Sequence, residues 1–222
     1  MLEEKITALR RELIEYATHV ERMIENSIQG LLKRDRSILA EVVRHYEPQA
    51  NDCEVTIEEM AIAVIAKYEP KAKDLRTALM ILKINNDLER AADHAVDISE
   101  AGIFLIDHPP VKPLVDIPRM AEEAAKMLRD SINAFVSEDP ILAQQVCERD
   151  SVVDALDDQV LRELVTYMVS DASTIERAIQ LLEVSRSLER IADLSTNISE
   201  DVIFMVEGRN IKHHMQERIE SV

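Results

Sequence analysis

Four positions recur at one spacing in two places a hundred residues apart. Glu89, Asp93, Asp97 and Glu100 lie in ILKINNDLERAADHAVDISEAGIF, residues 81–104, and Glu189, Asp193, Asn197 and Glu200 lie in LLEVSRSLERIADLSTNISEDVIF, residues 181–204. On a helix turning about 100° per residue the four project at about 0°, 40°, 80° and 20°, one strip roughly 80° wide. Acids four residues apart on a helix repel by a few tenths of a kcal/mol unless a cation lies between them. An arrangement that costs energy and is written twice points to cation binding. Beside the strip, Leu88, Ala92, Ala95, Ser99 and Gly102 form an arc of mostly small residues that lets a neighbouring helix approach closely, so the acids belong at the rim of a bundle.

A second strip is available on the preceding helix. EPQANDCE, residues 47–54, aligns with DSVVDALD, residues 150–157, giving Glu47/Asp150, Asn51/Asp154 and Glu54/Asp157 at spacing i, i+4, i+7. The offset here is 103 and not 100, which places a loop shorter by three residues in the second half, where indels belong. Each half thus offers six carboxylates and one Asn. Oxygen donors without thiolate or imidazole suit Mg²⁺, Mn²⁺, Ca²⁺ or iron. A lone ExxxD is ordinarily a solvated helix face. Solvated faces interleave Lys or Arg at i+4, however, and these strips do not. Arg90 and Arg190 read as salt-bridge or subunit-contact residues. His94, matched by Leu194, reads as a rim histidine, and the adjacent His213 and His214 cannot share one ion on a helix.

The elements that must position these strips are helices. Leu2, Ile6, Leu9, Leu13, Tyr16, Val20 and Met23 alternate steps of four and three, the seam of a bundle helix over residues 2–33. A second helix runs to about Tyr68, with Ile57, Met60, Ala61, Val64 and Ile65 apolar, and Pro48 should start or kink its main part. Asp74 is a candidate N-cap for a third helix reaching about Ile106. The Pro cluster of residues 107–113 reads as a linker. The plan then repeats, with Asp116 and Asp139 as caps, Pro118 and Pro140 near first turns, and Ser173 with Glu176 as a capping box. The expected fold is all-α: two similar three-helix bundles, residues 1–106 and 116–208, related by an internal repeat, a linker at 107–115 and a loosely packed polar tail at 209–222.

Composition agrees. With 46% hydrophobic residues in 222, Gly 3 and Pro 7, long helices and a sizeable core are expected. Aromatics are 3% and Trp is absent, so Leu, Ile, Val, Ala and nine Met must fill that core. A formal charge of −17 argues against nucleic acid as a partner and favours cations and basic surfaces. Cys53 and Cys147 form no CxxC, which argues for reduced thiols and against a thiolate zinc site. The charged N-terminus has no signal-peptide pattern, and no apolar run spans a membrane, so the expected location is the cytoplasm.

At LERAADHAVDISE and LERIADLSTNISE, and also at VIAKYEP, residues 64–70, the chain resembles the PhoU family of phosphate transport system regulatory proteins, whose signature is a duplicated E(D)xxxD. The resemblance covers nearly the whole chain. It implies a pseudo-twofold between the bundles and metal ions on the acidic surfaces, iron clusters foremost, with Mg, Mn, Ca or Zn as alternatives. It also implies homodimers, and negative regulation of phosphate uptake and of the phosphate-starvation response through the phosphate ABC transporter ATPase subunit and a sensor histidine kinase. Membrane contact would come only through those partners. Asn51 and Asn197 depart from an all-acid pattern. The rival reading is a ferritin-like di-metal enzyme, which requires ExxH on two helices. Here His19 and His45 follow Glu15 and Glu41 by four, and none of the six His follows a Glu by three. A helical scaffold without metal is the third reading.

Overall fold

The computed structural model describes residues 1–209 and Ile211, and it contains helices and no strand among them. The first half comprises α1 (Leu2–Lys33), α2 (Arg36–Glu41), α3 (Glu47–Tyr68) and α4 (Lys73–Ile106). The second comprises α5 (Asp116–Ser137), α6 (Pro140–Ser170) and α7 (Ile175–Glu207). The α1 seam is buried from Ile6 to Met23. Both α1 and α5 end on a residue in the left-handed conformation, Arg34 at φ 53° and Glu138 at φ 52°, and an Asp caps the next helix. Asp35 accepts from the amides of Ser37 and Ile38, and Asp139 from those of Ile141 and Leu142. Each such cap satisfies amides that the helix start leaves open.

Pro48 stands in the first turn of α3, as expected, and the turn ahead of it is reshaped without breaking the rod. The chain runs helically from Arg36 to Tyr68, and the turn Val42–Tyr46 widens to π geometry, with the Glu47 amide donating to the Val42 carbonyl. Proline has no N–H, and its ring crowds the carbonyl four residues back. The wider turn lies across that position, so the rod continues with one bulge. Three expected caps are corrected. Asp74 lies inside the first turn of α4, which starts from Ala72 at φ 49°. Asp116 is the first residue of α5 and makes no cap; it is buried in an ion pair with Lys112 at 3.5 Å. Ser173 makes no capping box: its amide donates to Asp171, which caps a 3-10 turn, Ala172–Thr174, ahead of α7.

Within each half the three long helices pack on one another, and α4 against α7 and α1 against α5 join the halves. The buried residues of both halves form one contiguous core. Ion pairs cross the junction: Arg129 of α5 to Glu21 and Glu25 of α1, and Lys83 of α4 to the buried Asp201 of α7 at 2.7 Å. Leu39 of α2 fits between α1 and α4 because Gly30 and Gly102 leave room; a Cβ at Gly30 would stand 2.5 Å from its Cδ2, and one at Gly102 2.8 Å from its Cδ1. Residues 107–115 are held in place. Arg34 donates to the carbonyls of Ile106 and His108, and the buried Lys112 also pairs with Glu163. Of the tail, Arg209 and Ile211 are described, and Ile211 is buried in the core, contrary to a loosely packed tail at that position. His213 and His214 lie outside the described residues.

Candidate functional site

The two acid strips stand where second and third helices meet, α3 with α4 and α6 with α7. In the first half, burial raises the Glu89 carboxyl above the usual range, and the charges of Asp93 and Glu54 raise it further. Glu54 and Glu89 are half-buried, while Asp93, Asn51 and Glu100 are exposed. The second half is the more tightly coupled. Burial, then Asp154 and Asp193, push Asp150 up to about 6. Asp154 is raised by burial and then by Asp193 and Asp157. Glu189 is raised by burial and by Asp193, against the lowering pull of Arg190. Asp150, Asp154, Asp157, Glu189 and Asp193 therefore form one electrostatic group drawn from α6 and α7. Desolvation and crowding of like charge both favour neutral carboxyls, and a cation would remove that penalty.

An 80° strip is wide enough to address two neighbours, and it does. Glu47, Asp93, His94 and Asp97 line a cleft of about 540 Å³ together with Arg90 and with Arg190 of α7, so the Asp97 position faces the seam between the halves. His94 Nδ1 lies 3.3 Å from the Asp97 carboxylate, a rim pairing. Asn197 lines the companion cleft with Lys83, Asn86, Asp87, Arg90 and Asp201. Glu200 lies near Cys147, whose thiol is pushed up to about 12 by burial and by the charges of Glu200 and Asp150. Arg190 contacts Glu189 at 3.5 Å and Asp193 at 3.1 Å, and Arg90 contacts Asp87 at 3.5 Å. Both arginines are thus salt-bridge residues.

Polar groups that sequence reasoning passed over brace the strips from inside. Asn85 and its counterpart Ser185 tie the third helix to the second at equivalent places: Asn85 Nδ2 donates to the Glu54 carbonyl at 3.0 Å, and Ser185 Oγ donates to Asp157 Oδ1 at 2.6 Å. Thr196 Oγ1 lies 3.5 Å from Asp150 Oδ1. Tyr16 reaches the first strip from α1; burial raises its phenol, and the charges of Glu54 and Glu89 act on it next. The available signal was a polar residue at the same repeat position inside an apolar face, 85 and 185. Tyr16 gave none, since it fills its place in the α1 seam.

The donor set fits a hard cation: it is made of carboxylate oxygens, several of them half-buried and raised first by burial and then by mutual repulsion. The carboxylates stand in rows: among the described residues no three His, Cys, Asp or Glu side chains are grouped closely enough to hold one ion. Rotation of surface carboxylates is what closing around a cation requires. Among the described residues no helix is long and apolar enough to cross a membrane.

Comparison with known proteins places the strips inside a repeated family unit. The PhoU domain matches residues 13–102 and again residues 117–202. A phosphate-specific transport system accessory protein PhoU homolog of Aquifex aeolicus is 38% identical over 216 residues, covering 97% of each chain. Homolog 2 of Thermotoga maritima is 34% identical and covers 98% of this chain and 92% of its own. The crystal structure of PhoU from Pseudomonas aeruginosa superposes with a TM-score of 0.91 at 31% identity, covering 94% of this chain and all of that one. A phosphate transport system regulatory protein PhoU from Streptococcus pneumoniae, 21% identical, shares the fold with a TM-score of 0.87.

Proposed function

The chain belongs to the PhoU family, and from that premise we propose that it is a non-enzymatic, cation-binding negative regulator of phosphate uptake and of the phosphate-starvation response. The observation that carries this reading is likeness over nearly the whole chain to accessory proteins of the phosphate-specific transport system. Its partners are the ATPase subunit of the phosphate ABC transporter and the sensor histidine kinase, met at the cytoplasmic face of the membrane, and the protein works as a homodimer.

Such a regulator acts by contact. Cations, iron foremost, would be held in the first half by Glu47, Asn51, Glu54, Glu89, Asp93, Asp97 and Glu100, and in the second by Asp150, Asp154, Asp157, Glu189, Asp193, Asn197 and Glu200. Bound cations neutralise strips that otherwise repel acidic surfaces and themselves. The raised carboxyls of Glu89, Asp150, Asp154 and Glu189 support this reading. Co-purification with the transporter ATPase and the sensor kinase, with and without phosphate, tests the regulatory role, and elemental analysis of tag-free protein tests the cations. Absence of binding to either partner, together with an unchanged phosphate response in a deletion strain, would overturn the first. Metal-free protein that takes up no added Mn²⁺ or iron would overturn the second.

A further inference from the structure

Two of the buried side-chain atoms without a hydrogen-bond partner, the Tyr16 hydroxyl and Asn85 Oδ1, belong to the first half's acid region. Tyr16 is 1% exposed on α1 and Asn85 is 3% exposed on α4. Natural cores seldom leave such atoms unpaired, and a group that is unpaired usually has a ligand or a moving neighbour to serve. The carboxylates acting on the phenol are Glu54, Glu89 and Asp93, the heart of the first strip.

Among the described residues of the second half the unpaired buried atoms are Arg149 Nε and Ser199 Oγ, and the positions equivalent to Tyr16 and Asn85 carry none. The left-handed residues Arg34 and Glu138, the capping residues Asp35 and Asp139, and the buried Ser27 and Ser131, which bond the carbonyls three residues back, set the offset of α1 to α5 at 104. Tyr16 therefore corresponds to Met120, and Asn85 to Ser185. Ser185 Oγ reaches Asp157 Oδ1 at 2.6 Å and the Met120 sulfur at 3.4 Å, so the acid of the second strip already has an internal donor. In the first half Asn85 Nδ2 donates to the Glu54 main-chain carbonyl instead, and the phenol, standing in the place of Met120, is a donor without a hydrogen-bond partner.

We propose that Tyr16 is a positioning residue of the first acid site, its hydroxyl donating to the Glu54 carboxylate when a cation is bound and so fixing that carboxylate for ligation. This inference rests on the cation-binding reading above. It makes the two sites of one chain unequal: the first depends on a group from α1 and the second does not. A hydrogen bond to a charged group is strong enough that its loss should weaken the first site about tenfold.

The test is Mn²⁺ titration of the full chain with Tyr16→Phe, which removes the oxygen and keeps the ring. The first site is read in an Asp193→Ala background and the second in an Asp93→Ala background. Tyr16→Phe should lower first-site affinity about tenfold, leave the second site unchanged, and raise the melting temperature of the metal-free protein, because the orphaned hydroxyl is gone. Tyr16→Met, which copies the second half, should weaken the first site likewise if it folds to the same helical content. A purely packing role would move metal-free stability and both sites in one direction. First-site affinity equal to that of the parent, or equal losses at both sites, would overturn the proposal while leaving cation binding in place. A parent protein that takes up no Mn²⁺ removes the cation reading and this inference together.

Discussion

Replacing Asp193 by Asn tests the acid-strip argument at its most crowded point. The Asp193 charge raises Asp150, Asp154 and Glu189, so it has three like-charged neighbours. At a few tenths of a kcal/mol each, relief of that repulsion comes to about 1 kcal/mol. Against it stands the lost contact with Arg190 at 3.1 Å. Arg190 is exposed and Asp193 partly so, which limits that pair to about 0.5 kcal/mol. The metal-free variant should therefore be more stable by about 0.5 kcal/mol, which for a chain of this size raises the melting temperature by about 1–2 °C. With cation present the sign reverses. A site held at a hundred times its Kd contributes about 2.7 kcal/mol of stability, and the variant forfeits most of the second site's share. Calorimetric melting in chelator and in Mn²⁺ reads both effects. A variant that melts below the parent in chelator and gains as much as the parent from Mn²⁺ would refute the reasoning, and the strips would be solvated helix faces.

The raised acids also fix a pH dependence for the metal-free protein. Asp150, at about 6 when folded, binds its proton more readily than in the unfolded chain, as do Asp154, Glu89 and Glu189, so stability should rise as pH falls from 7 to 5. The lowered acids Asp35, Asp107, Glu138, Glu163 and Asp171 reverse the trend only below about pH 4; melting temperatures in chelator that fall steadily from pH 7 to 5 would contradict this. Among the described residues, Lys112→Met leaves the buried Asp116 side chain with only the Gln159 amide at 3.4 Å, and urea denaturation should show a loss of about 2–4 kcal/mol. Gly30→Ala drives a methyl against Leu39 Cδ2 and Cγ, and since Leu39 is fully buried the same assay should show a loss of about 1–3 kcal/mol.

Periodicity and punctuation carried the fold. The four-three alternation from Ile6 to Met23 placed one face of α1 inside, and the hundred-residue offset paired α4 with α7. What failed was local. Asp74, Asp116 and Ser173 have the right chemistry for caps, but Asp74 falls inside the first turn of α4, Asp116 pairs with Lys112 four residues back, and Asp171 caps in place of Ser173. Pro48 opens α3 as expected, but the sequence did not show the π turn ahead of it, where the helix absorbs one extra residue. At the site, spacing showed which acids share a strip but not that the strip is split, with the Asp97 and Asn197 positions turned to the seam. Helix angle alone cannot say which neighbour lies at each edge. Tyr16 was invisible for a further reason: a tyrosine in an apolar seam reads as packing until the atoms around its hydroxyl are known.

The packing of α4 against α7 also sets a schedule for the ribosome. α4 is complete at Ile106, while the helix that covers it is complete only at Glu207. At roughly 5–20 residues per second, the intervening stretch takes about 5–20 s to synthesise. Throughout that interval the first bundle exists with one flank bare, in a cell full of other nascent chains. The bare flank is not uniformly apolar: Lys83, Asp87 and Arg90 border it and meet α7 partners or clefts only at the end. Charges in that position keep an unfinished helix hydrated and discourage its pairing with strangers. Residues that look like minor trim on the finished protein thus guard it before the last helix arrives.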